Sequence, residues 1–258
     1  MKKKKNNVLN GAVSLIISQI IVKVFGLIYK LYLANKQGFG DAGNAIYNSG
    51  YQIYALLLVI SSIGVPNAVA KLISEKYYRG DKLEMARILK SSLIVFSVIG
   101  IIFSGLLAAS AGFISENLLN IKEAKYTIIA LSPAIFNVCL ISVYRGFYNG
   151  TRNVNITAKS QTIEQLLKTV FTILLVEIVF NLTGANTVAM ATIANFATTL
   201  ATLSSFIYLY KKNNLSNKLI KLRLRYSPIS YILYLASIYE IYCKKRLKSG
   251  LQSRGKIL

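Results

Sequence analysis

The sequence predicts an all-α polytopic membrane protein, and three observations predict it. The 258 residues are 54% hydrophobic and only 16% charged, with a mean hydropathy of +0.48. The apolar residues form long blocks of about 20 with few charges, the length of a bilayer span, and not short periodic stripes. The basic residues, finally, gather at the ends of those blocks.

Six helical spans follow in order, at about 8–33, 46–72, 88–113, 125–148, 158–180 and 187–210, each long enough at 1.5 Å per residue to cross roughly 30 Å of hydrocarbon. The first is too long for the core of a signal peptide, and Tyr32-Leu-Ala-Asn-Lys36 offers no small-x-small cleavage site. The second contains Ser61-Ser-Ile-Gly-Val-Pro66, which should bend or loosen it. Pro133 removes a helix hydrogen bond inside the fourth. Such breaks are tolerated irregularities in many helices and line cavities in transporters.

The loops between spans are short, so orientation alternates along the chain. Placing the tetralysine Lys2 to Lys5 in the cytoplasm also places Lys76, Arg79, Lys82, Arg87, Lys90, Arg152, Lys159, Lys211 and Lys212 there, and leaves little more than Lys36, Lys122 and Lys125 outside. This asymmetry predicts a multi-pass protein of the cell membrane with a cytoplasmic N-terminus. It also accounts for a net charge of +22 without nucleic acid as a partner.

Two sets of polar residues lie where they are costly. Lys23 sits near the middle of the first span and Lys30 seven residues on, within about 20° of the same face, and Gln19 and Gly26 extend that stripe. A charge at a span centre costs about 2.5–3.5 kcal/mol on insertion scales. Snorkelling to the headgroups is one way out, and a cavity that receives an anionic phosphate is the other. On the fifth span Ser160, Gln161, Glu164, Gln165 and Lys168 share a face. Glu164 and Lys168 there form a favourable i,i+4 pair that either neutralises itself or serves ion coupling. Glu177 falls on nearly the opposite face and is expected at the membrane interface. Arg145, among Tyr144, Phe147 and Tyr148, has the look of an interface anchor.

Enzyme chemistry finds no support. The chain has no histidine, two widely spaced cysteines and no Walker A sequence, so no catalytic residue, metal site or cofactor is expected.

Nine strings stand in one order: Lys23-Val-Phe-Gly-Leu-Ile-Tyr-Lys30, Gly43-Asn-Ala-Ile-Tyr47, Tyr51-Gln-Ile-Tyr54, Ser61-Ser-Ile-Gly-Val-Pro66, Ala70-Lys-Leu-Ile-Ser-Glu75, Ala111-Gly-Phe-Ile-Ser-Glu116, Ser132-Pro-Ala134, Ser142-Val-Tyr-Arg-Gly-Phe-Tyr148 and Ser160-Gln-Thr-Ile-Glu-Gln165. Together they resemble the stage V sporulation protein B and polysaccharide-biosynthesis group. That group belongs to the multidrug/oligosaccharidyl-lipid/polysaccharide (MOP) superfamily, which includes MurJ-type lipid II flippases. The resemblance implies the six-helix N-terminal lobe of a MOP-type flippase, moving an undecaprenyl pyrophosphate-linked oligosaccharide for cell-wall or polysaccharide synthesis by alternating access. It implies that Lys23, with Lys30 on the same face, engages the lipid pyrophosphate, and that Arg145-Gly146 and Glu164-Gln165 are stations of the lobe architecture. The expected substrate-binding set is thus Lys23, Lys30 and Arg145, and the expected coupling or structural polar face is Gln19, Glu164, Gln165 and Lys168.

The chain then divides into a basic cytoplasmic N-terminus (1–7), a six-helix lobe (8–212) and a basic, partly apolar tail (213–258). The quoted resemblance fades after about Arg225. The tail reads as a marginal seventh span, an interfacial segment or out-of-frame sequence, so the expected partners are the membrane, the lipid-linked sugar and a second six-helix lobe or second copy. A small-solute or multidrug exporter lobe and a non-transporting remnant are the other readings.

Overall fold

The computed structural model describes residues 2–213, with side chains from Val13 onward except for 57 and 59–63. The tail boundary and the readings made for residues 214–258 lie outside the described residues. Six long helices account for nearly all of the described chain: α1 (Lys2–Asn35), α2 (Gly40–Tyr78), α3 (Lys82–Phe113), α4 (Ala124–Gly150), α5 (Val154–Thr183) and α6 (Thr187–Lys212). A π-helical turn, Ile114–Leu118, finishes α3. Among the described residues, α1 from Val13, α3 with the π-turn, α4, α5 and α6 are long and apolar enough to cross a membrane. The 39 residues of α2 span roughly 58 Å, also ample for a crossing.

Local chemistry sets the helix ends. Asp81 caps α3 by accepting from the Glu84 amide at 3.0 Å, and Asn186 caps α6 by accepting from the Ala189 amide at 3.0 Å. Gly80 and Gly184 end α2 and α5 with φ of 72° and 69°, a region that glycine enters without a Cβ clash. Connections of a few residues make sequence neighbours antiparallel. Lys2–Lys5, Arg79, Lys82, Arg87, Arg152, Lys159, Lys211 and Lys212 therefore collect at one end of the bundle, called the basic end below.

The central helix is α4, which packs against α2, α3 and α6. Outside that set, α5 lies on α6 and α1 lies on α5. Buried residues cover α4 on all sides from Asn137 to Gly150, whereas α1 shows Ile16, Ile20, Val24, Leu27 and Leu31 and α3 shows Val98, Ile101, Phe103 and Leu106. Continuous exposed apolar faces of this kind suit hydrocarbon. Inside, hydroxyls and amides tie helices together: Thr199 Oγ1 donates to the Ala130 carbonyl at 2.7 Å, and Asn195 Nδ2 donates to the Tyr47 carbonyl at 3.2 Å.

One close helix approach was not foreseen from the sequence. Gly146 and Gly150 form a Gly-x-x-x-Gly face on α4. A Cβ at Gly146 would stand 2.8 Å from the Pro66 carbonyl oxygen and 2.8 Å from Val69 Cβ, and one at Gly150 would stand 2.7 Å from the Ala70 oxygen. Only glycine lets the two backbones meet so closely. The Ser61 to Pro66 segment, expected to bend or loosen its span, does not interrupt the helix. α2 continues through Pro66, and α4 continues through Pro133, so neither proline splits its span into half-helices. Backing of the Pro66 turn by the side-chain-free surface of Gly146 supplies packing against the hydrogen bond that proline forgoes.

Candidate functional site

Two helix groups, α1 with α5 and α2 with α4, are bridged by polar side chains that form a seam. Arg145 of α4 donates through Nη2 to Glu164 Oε2 of α5 at 2.7 Å and through Nε to Ser160 Oγ at 3.1 Å. The two charged side chains are only 18% and 15% exposed, so water screens the pair weakly. Arg145 is thus no interface anchor. The aromatic neighbours Tyr144, Phe147 and Tyr148 are buried in the core and not at a headgroup belt.

The pair expected between Glu164 and Lys168 does not form. Glu164 is engaged by the Arg145 fork, and Lys168, one turn on, points instead into a tyrosine cage. Its ammonium lies 4.1 Å from the ring centroid of Tyr51 on α2 and 4.8 Å from that of Tyr29 on α1. Lys168 is among the largest fully buried side chains, and no carboxylate lies within ion-pair distance of it among the described residues. Ring quadrupoles stabilise a desolvated cation by about 2 kcal/mol, which offsets part of the burial cost. Tyr47, Tyr51 and Tyr54 stack along α2 with centroids 5.9 and 5.7 Å apart and present this aromatic wall. Their i, i+4, i+7 spacing was the available signal for it, one that a search for charges passes over.

The α1 stripe borders this seam. Gln19 Nε2 donates to Gln161 Oε1 of α5 at 2.9 Å, which fixes the edge of α1 against α5. Lys23 and Lys30 are exposed and make no hydrogen bond or ion pair among the described residues. Gln165 is half-buried on α5, and its backbone carbonyl accepts from Thr169 Oγ1 at 3.0 Å. Among the sequence-selected residues, the structure therefore joins Arg145 to Glu164, sets Lys168 apart in its cage, and leaves the two α1 lysines unpaired. No group of three or more His, Cys, Asp or Glu residues capable of holding a metal occurs among the described residues.

At the opposite end of α5, Glu177 accepts from Tyr32 Oη at 2.7 Å and Lys36 Nζ at 2.6 Å, and Lys36 covers the Phe180 ring at 4.1 Å. Glu177 clasps α1 to α5 and does not stand alone at the interface. It is 42% exposed, so Glu177→Gln should lower the thermal midpoint only slightly, by an amount that fades in high salt. Melting curves at low and high ionic strength test this.

The sequence profile of the polysaccharide biosynthesis protein family matches residues 8–239. The chain belongs to that family. The match runs on to residue 239, past Arg225, where the resemblance was expected to fade. Among curated members, stage V sporulation protein B of Bacillus subtilis (strain 168) is 29% identical over 164 residues, which are 64% of this chain and 31% of that protein. Lipid II flippase MurJ of the same organism is 26% identical over 246 residues, 92% of this chain and 45% of that protein. The chain spans less than half the length of these relatives.

Solved structures agree on the fold. A MATE in complex with MaD3S superposes with a TM-score of 0.70 at 13% identity, covering 92% of this chain and 53% of that one. A MOP superfamily transporter from Pyrococcus furiosus gives 0.69 at 15% identity, covering 86% and 47%. This family member is thus a multi-pass membrane protein with six helices of a MOP-type lobe.

Proposed function

We propose that the chain supplies the N-terminal lobe of a flippase for undecaprenyl pyrophosphate-linked sugars, inserted with its basic end in the cytoplasm. The observation that carries this reading is the pair of exposed, unpaired ammonium groups of Lys23 and Lys30 on a membrane-spanning helix. Facing hydrocarbon they would be costly, and facing a wet compartment they attract a phosphorylated headgroup. The Arg145–Glu164 pair and the caged Lys168 hold the two helix groups that wall the compartment. The relatives named for sporulation and lipid II support the same reading, as does the family match.

A six-helix lobe provides one wall of such a compartment, and a second lobe or second copy would provide the other. Purified monomeric chain in proteoliposomes should therefore not flip lipid, and transport by it would contradict this part of the proposal.

Binding is the direct test. The chain in nanodiscs is titrated with undecaprenyl pyrophosphate and with undecaprenol. The expected result is preference for the pyrophosphate, a fall of tenfold or more (about 1.4 kcal/mol) in Lys23→Ala with Lys30→Ala, and retention when both become Arg. Equal affinity for the two lipids, or no change on removing both lysines, would overturn the proposal. A preference for ethidium, a cation that these lysines repel, would favour a drug-exporting lobe instead.

A further inference from the structure

At the basic end, on the far side of α5 from the Lys168 cage, α1, α5 and α6 leave a groove of about 540 Å³. Its upper part is polar: Lys159 near the start of α5, Lys212 at the end of α6, and the Ser14 hydroxyl of α1. No acidic side chain lines it, and neither lysine is paired among the described residues. Its lower part is apolar, with Ile17 and Ile21 facing Ile163. The floor is closed by the Ser18 hydroxyl, which donates to the Ala158 carbonyl at 2.8 Å and lies 2.9 Å from Thr162 Oγ1.

We propose that this groove is a site for one anionic glycerophospholipid of the surrounding bilayer, with its phosphate between Lys159 and Lys212 and an acyl chain along Ile17, Ile21 and Ile163. Charge complementarity selects the sign of the occupant, since basic residues near a membrane surface attract anionic lipid by about 1 kcal/mol each. The isoleucine wall selects a lipid over a soluble phosphate, because a free anion gains nothing from it. Ile17 of its apolar wall is itself 51% exposed, so the groove opens toward the hydrocarbon around α1. The chain's own residues 214–258 are a poor fit for a cationic groove, since they carry ten Lys and Arg against one acidic residue, Glu240. This site is separate from the α1 lysine stripe and does not depend on which substrate the lobe carries.

The test measures association of spin-labelled phosphatidylglycerol and phosphatidylcholine with the full chain in phosphatidylcholine vesicles. One strongly retained phosphatidylglycerol per chain is expected, weakened tenfold or more by Lys159→Ala with Lys212→Ala. It should be restored by Lys159→Arg with Lys212→Arg, and left unchanged by Lys122→Ala, at the other end of the bundle. Unaltered retention in the double alanine variant would overturn the proposal. So would equal retention of phosphatidylcholine, or displacement of the lipid by glycerol phosphate at matching concentration. Ready disulfide formation between Thr162→Cys and Cys243 would show that the tail fills the groove, and would also overturn it. Melting curves of each variant confirm that loss of retention is not loss of fold.

Discussion

Replacing Glu164 with Gln is expected to destabilise the lobe by about 3–5 kcal/mol, the cost of breaking a buried pair from one side. The substitution strips the Arg145 guanidinium of its 2.7 Å partner and leaves that largely buried cation without a carboxylate, while Lys168 stays in its tyrosine cage. Removing Arg145 is expected to cost less. Lys168 is at i+4 from Glu164 and can leave its tyrosine cage to take up the abandoned carboxylate, the pairing that sequence spacing allows. Arg145→Gln should therefore melt above Glu164→Gln, and the double variant should recover part of the loss. Thermal unfolding in one detergent, read by helical circular dichroism, checks the order. Equal losses for the two single variants would mean that Lys168 is locked in place.

The second large effect is steric. Gly146→Leu should prevent α2 and α4 from docking, because the Cβ alone would press on the Pro66 carbonyl and Val69 Cβ, both fixed to the opposing helix. Overpacking by a methylene or two costs about 1–3 kcal/mol, and a leucine brings four carbons. Gly150→Leu meets the Ala70 carbonyl in the same way. Gly105 is the control, since a Cβ there has nothing within 4 Å, and Gly105→Ala should be neutral or raise stability by up to about 1 kcal/mol through helix propensity. Expression and monodispersity in detergent separate these outcomes. A Gly146→Leu variant that melts like the parent would show that α2 and α4 do not meet as described.

The helices were legible in the sequence because bilayer thickness imposes a length that hydropathy reports directly, and the predicted 125–148 and 187–210 fall inside α4 and α6. Helix ends beyond the hydrocarbon were less so. α2 runs on to Tyr78 and α3 starts at Lys82, because polar turns outside the membrane cost a helix nothing.

Partnership was the hidden part. Glu164 lies four residues before Lys168, a spacing at which helical side chains meet, yet its ion pair is with Arg145, nineteen residues earlier. Spacing along one helix says which groups can meet and is silent about competitors on the next. The tyrosines around Lys168 were overlooked for a related reason. An aromatic ring reads as core or interface in a sequence, and only proximity to a buried ammonium turns it into a counter-charge. Lys23 and Lys30 stood out because a charge within an apolar block is costly wherever it faces.

The central claim is that the Lys23 face of α1 borders water inside the membrane. Accessibility at that position measures it most directly. With Cys139 and Cys243 replaced by Ala, Lys23→Cys and Val24→Cys, 100° apart on α1 at the same depth, are each exposed in intact membranes to a charged, membrane-impermeant thiol reagent, which attacks only hydrated thiolates. The account predicts rapid modification at 23 and slow modification at 24, with the reaction at 23 protected by undecaprenyl pyrophosphate. Equal, slow modification at both positions would place Lys23 in lipid and contradict it.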